Sequence, residues 1–130
     1  MSLNMPILTE HDEQVLLFQW ASFASSKYPM LNDMFAIPNG GFRKYKTAVD
    51  LKKEGVKAGV SDILLPYSSG GFHGLFIEMK RIKKGQVSEA QKDFINRMKK
   101  NGYAAEVCYG FEDARKVILQ YLKEGKNEKL

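Results

Sequence analysis

One mid-chain stretch, GVSDILLPYSSGGFHGLFIEMK from Gly59 to Lys80, constrains the fold of this chain more than any other. Ile63–Pro66 and Leu75–Met79 are apolar runs joined by a Ser/Gly-rich turn at Ser68–Gly71, which predicts two neighbouring strands. Charge intrudes on both of them. Asp62 opens the first strand, and Glu78 and Lys80 close the second, although such residues are depleted in strands and rarely buried without a partner. Alternation along a strand puts Glu78 and Lys80 on one face, roughly 6.6 Å apart, with Met79 on the other. Pairing of the two strands brings Asp62 alongside. Two carboxylates and an ammonium on one sheet face are costly to build and invite a functional explanation.

The elements around this stretch follow from period and punctuation. Thr9 predicts a helix N-cap, with Glu10, Asp12 and Glu13 in the first turn, for a helix running to about Ser26. Leu16, Leu17, Trp20 and Phe23 are its apolar residues, and Glu13 falls at the edge of the inward face, where it can equally serve the helix dipole. Tyr28–Asp33 reads as a connection and Met34–Ile37 as a short strand stopped by Pro38, with a turn at Asn39-Gly40-Gly41. Lys44–Glu54 predicts a polar helix closed by Gly55. Ser88-Glu89-Ala90-Gln91 is a capping box opening a helix that runs to Asn101 and stops at Gly102. Tyr103–Tyr109 predicts a last strand and Glu112–Leu122 a last helix, leaving residues 1–8 and 123–130 as flexible ends. The order α-β-α-β-β-α-β-α describes an α/β fold with a mixed central sheet flanked by helices, in a single domain spanning 1–130.

Composition narrows the partners. The chain has 130 residues, 44% of them hydrophobic, enough for one ordinary core. Its net charge of +5 is gathered into basic clusters at Arg43/Lys44/Lys46, Lys52/Lys53/Lys57, Lys80/Arg81/Lys83/Lys84 and Arg97/Lys99/Lys100. Focused positive charge attracts polyanions such as nucleic acid, so Arg43, Lys44, Lys57, Arg81, Lys83 and Lys84, with Asn39 in the turn before Arg43, are the candidate nucleic-acid contacts. No long apolar run suggests a membrane partner. The lone Cys108 excludes an internal disulfide and a Cys-rich zinc site, and its apolar run predicts a buried thiol. No basic-then-apolar leader opens the chain, from which an intracellular location is expected.

Asp62 and Glu78, with Glu13 as a third candidate, offer only oxygen ligands, which suit a hard ion such as Mg²⁺ or Mn²⁺. Lys80 beside them could orient or deprotonate an attacking water or steady charge gathering on a phosphate. A plain Glu78–Lys80 ion pair is the ordinary alternative, and Asp…Glu-x-Lys spacing alone is common. No nucleophile elbow, Walker loop or dinucleotide fingerprint is present. His11 and His73 have no metal-ligand spacing and read as surface residues, while Phe42 and Tyr45 could stack on bases or pack inward.

Taken together, four ordered segments resemble a known family: Ile37-Pro38-Asn39-Gly40-Gly41, then Gly55 to Asp62, then Phe76-Ile77-Glu78-Met79-Lys80, then Ser88-Glu89-Ala90-Gln91-Lys92. The pattern is similar to the VRR-NUC branch of the PD-(D/E)XK nucleases, with Ser61 where that superfamily often has proline. The resemblance implies a restriction-endonuclease-like core in which Asp62, Glu78 and the Met79 carbonyl hold the metal. It implies that Lys80 is the catalytic lysine, that Glu13 is the first-helix acid at the metal, and that Gln91 is the helix glutamine of the catalytic set. It further implies a small phage or bacterial nuclease, cytoplasmic in a bacterium or infected host. Such proteins resemble Holliday junction resolvases and act on branched DNA as homodimers. A non-catalytic nucleic-acid-binding module of the same fold and a flap or restriction-like nuclease are the rival expectations.

Overall fold

The computed structural model describes residues 6–38, 47–83 and 85–128, with side chains to 124. Helix α1 (Glu10–Ala24) begins as expected, Thr9 Oγ1 accepting from the Asp12 amide at 3.1 Å. A 3₁₀ turn at Pro29–Asp33 replaces the irregular connection expected there, and the first strand, β1, is only Phe35–Ala36. Helix α2 is Ala48–Lys53, capped by the Thr47 side chain, so of the expected Lys44–Glu54 helix the first three residues lie outside the described ones. Gly55 follows its C-cap at φ 94°, the left-handed conformation that favours glycine.

Strands β2 (Ile63–Leu65) and β3 (Leu75–Lys80) are the two expected from the central stretch. Helix α3 (Glu89–Lys100) carries the complete capping box, and β4 (Ala104–Tyr109) follows it. Helix α4 (Phe111–Glu128) outruns its expected end at Leu122. Tyr121 and Leu122 are buried against the main core and anchor the helix late in its length, so the turns beyond them continue it instead of fraying.

The sheet order is β1-β2-β3-β4, antiparallel except for the parallel β3–β4 pair that α3 crosses over. Helices cover both faces of β3. Leu75, Ile77 and Met79 point into the larger core with α1 and α4 residues such as Leu17 and Ile118, while Phe76 points into a smaller one with Ile95 of α3. Each fully buried aliphatic here contributes about 1.5–3 kcal/mol. Alternation then assigns Glu78 and Lys80 to the Phe76 side, the α3 face. Cys108 is fully buried, as its surroundings predicted.

Candidate active site

The site lies at the C-terminal end of β3, where β4 ends and α1 begins. Gly110, just past β4, donates its amide to the Lys80 carbonyl at 3.0 Å. Ends of parallel strands are where open α/β sheets place ligands, because the connections diverge there.

Asp62 precedes β2 and is pinned from two sides. Its carbonyl accepts from the Ile37 amide at 2.7 Å, and its Oδ2 accepts from the Met79 amide at 2.8 Å. The carboxylate thus reaches across to β3. A strand residue's amide and carbonyl point to the same side, so the Met79 carbonyl faces the edge that Asp62 occupies.

Glu78 is 2% exposed and hydrogen-bonded to the Asp62 side chain, while its Oε1 is buried with no hydrogen-bond partner. Burial, then the hydrogen bond and charge of Asp62, push its carboxyl up to about 9, with Glu10 adding to the rise. Lys80 opposes this from 4.0 Å, the outer limit of an ion pair, and does not reverse it. Near neutral pH the Glu78 carboxyl therefore keeps its proton. Lys80 is itself almost wholly buried, and its stem passes so close to Gly85 that a Cβ there would lie 2.7 Å from the Lys80 Cβ.

A buried carboxyl with an orphaned oxygen beside a half-buried one forms an all-oxygen donor set that suits a hard divalent cation in place of the Glu78 proton. Among the described residues no cluster of three or more His, Cys, Asp or Glu side chains gathers to hold a metal. A third protein ligand would thus be a backbone oxygen, and the Met79 carbonyl is oriented for it.

The other expected residues divide. Glu13 is buried, yet its Oε1 accepts from the Phe111 amide at 2.9 Å and so caps α4. Glu10, one turn earlier and read from sequence only as part of the acidic first turn, adds its charge to the rise at Glu78. Its three-residue spacing from Glu13 was the available signal. Gln91 Oε1 is taken by the Ser88 amide at 2.9 Å, and the residue lines a groove with Lys52, Lys57 and Gly59. Ser61, in the superfamily's proline position, is buried with an unpartnered hydroxyl. Lys57 and Lys83 are exposed, and Arg81 is half-buried with Nε unpartnered. Asn39, Arg43, Lys44 and Lys84, like Phe42 and Tyr45, lie outside the described residues. His11 and His73 are both exposed.

A mixed four-stranded sheet between helices, with acids and a lysine gathered at its strand ends, defines an α/β protein of the nuclease type. The sequence model of the VRR-NUC domain matches residues 6–112. A solved structure described as a VRR_NUC domain protein superposes with a TM-score of 0.80 at 32% identity, covering 92% of this chain and 93% of that one. Curated proteins give no significant match. The chain belongs to the VRR-NUC family. No helix among the described residues is long and apolar enough to cross a membrane.

Proposed function

We propose that this protein is a Mg²⁺- or Mn²⁺-dependent, structure-selective DNA endonuclease that hydrolyses phosphodiester bonds in branched DNA, Holliday junctions included, as a cytoplasmic homodimer. The convergence of Asp62, Glu78 and Lys80 at the end of β3 carries this reading. Held by Asp62, Glu78 and the Met79 carbonyl, the divalent ion would supply acidification of water and neutralisation of phosphate charge. The chain's own groups do the rest. Asp62, fixed by the Met79 amide, holds its carboxylate still. Glu78 would give up its proton to solvent on loading of the site. Lys80, buried beside Glu78, presents an ammonium to the attacking water or a phosphate oxygen, where charge rises in the transition state. Gln91 commits its oxygen to the capping box, so it would act through Nε2.

Cleavage of labelled junction, flap and duplex DNA with Mg²⁺, Mn²⁺ or EDTA tests this directly. Lys80→Ala and Asp62→Asn should each slow cleavage by about a hundredfold or more while the fold stays intact. Wild-type rates in both variants would overturn the enzyme reading.

A further inference from the structure

Helix α1 is apolar on two sides, and only one of them is used by the fold. Leu17 and Ala21 are buried in the main core, with Trp20 and Ala24 packed against it. On the outer side Phe23 is 84% exposed, Val15 42% and Leu16 37%. A surface helix with an apolar outer face has something to cover it. Asp12, Leu16, Gln19 and Phe23 recur at helical spacing along that side, and Lys27 follows in the turn beyond the C-cap Ser25. Its order is acid, apolar, amide, apolar, base, with Gln19 at the centre.

Such a stripe is complementary to its own reversal. From this we infer that the outer face of α1 is the contact between two copies of the chain, packed antiparallel about a two-fold axis that passes between the levels of Gln19 and Trp20. Leu16 then meets the partner's Phe23, and Phe23 the partner's Leu16. Gln19 meets the partner's Gln19, and Asp12 faces the partner's Lys27. Parallel packing would set Asp12 against its own copy. DNA is a poor occupant, because the stripe is apolar and its charged residue within the helix is the acid Asp12. An isologous contact of this kind closes at two copies.

The inference deepens the dimer of the proposed function, rests on that reading, and gives it a geometry. The start of α1 adjoins the active site, where Glu13 caps α4 and Glu10 acts on Glu78. At 1.5 Å per residue, Glu10 lies roughly 13 Å from Gln19, so the two active sites sit at opposite ends of the shared helix pair, on the order of 27 Å apart along it. One helix pair is a small interface, so dissociation in the micromolar range is expected.

Sedimentation velocity of the full chain over a concentration series tests the contact, with thermal melts as a check on folding. Wild type should dimerise, and Phe23→Glu should weaken the dimer at least tenfold while melting like wild type at dilutions where both are monomeric, since Phe23 is almost wholly exposed. Asp12→Lys should also weaken it, and Asp12→Lys combined with Lys27→Glu should restore it. A dimer that survives Phe23→Glu, or a double charge swap no better than Asp12→Lys, would overturn the α1 contact while leaving a dimer. A wild-type chain that stays monomeric would overturn the contact and the dimer together, with the cleavage assays of Lys80→Ala and Asp62→Asn still standing as the separate measure of the nuclease.

Discussion

Glu78 shows at the scale of one residue how a site declares itself through cost. Its carboxyl is buried, pressed against Asp62 and pushed from 4.5 to about 9. The unfolded chain gives up this proton near 4.5, while the folded chain keeps it to about 9, so between those values the folded state binds more protons. Stability must therefore fall as pH rises through that window. In EDTA, melts from about pH 5 to pH 9 should show this decline, amounting to about 1–3 kcal/mol, and Glu78→Gln should flatten it. Equal slopes in the two proteins would mean that Glu78 titrates normally. Glu13 poses a different question, since its Oε1 already serves the Phe111 amide. Glu13→Ala leaves that amide without an acceptor and should cost about 1–3 kcal/mol, whereas Glu13→Gln keeps a carbonyl oxygen there and should melt close to wild type. A loss of cleavage in Glu13→Gln at full stability would show that Glu13 works at the site as well as on α4.

Among the elements, what could be read from sequence was what local chemistry decides. The capping box at Ser88 and Gln91, the Thr9 cap, the Gly55 stop and the two strands around Ser68–Gly71 are all settled within a few residues, and all appear. What escaped depends on contacts distant in sequence. The Glu13–Phe111 hydrogen bond joins residues 98 apart, and α4 runs past Leu122 because burial of Tyr121 and Leu122 outweighs the polar tail's tendency to fray. The charge of Glu10 on Glu78 was hinted at only by its spacing from Glu13, because the effect depends on where α1 starts relative to the end of β3. Gly59 links the two levels. It sits at φ 87°, and a Cβ on it would lie 2.4 Å from the Ala90 carbonyl oxygen in the first turn of α3. Gly59→Ala must push the loop leading to Asp62 away from α3, at a cost of about 2–4 kcal/mol together with lost cleavage. Gly55→Ala is the control: it has a similar φ of 94° but nothing within 4 Å, so only backbone strain of about 1–2 kcal/mol applies and cleavage should persist. Similar losses in both variants would mean that the approach to α3 does not matter.

On the scale of the whole molecule, charge separates the proposed DNA path from the α1 contact inferred above. The net charge is +5, yet the start of α1 is acidic, so the positive field is concentrated elsewhere. Lys57 lines the groove that Gln91 and Gly59 share, and Lys83 lies in the connection from β3 to α3. Lys57 thus stands beside the first turn of α3, and Lys83 follows Lys80 by three residues. Lys99 and Lys116 instead line a hollow over β4 together with the acids Glu106 and Glu124, which offset their charge. A phosphate backbone crossing the active site should therefore meet the first pair and miss the second. Each lysine that neutralises a phosphate releases counterions, so the logarithm of DNA affinity falls with the logarithm of salt by about 0.9 per contact. Lys57→Ala and Lys83→Ala should each lower that slope by about 1 in fluorescence anisotropy with junction DNA, measured in Lys80→Ala protein so that no cleavage intervenes. Lys99→Ala and Lys116→Ala should leave the slope unchanged. If the second pair lowered it and the first did not, DNA would be lying over β4, away from Glu78, and the path of the strand across the protein would have to be redrawn.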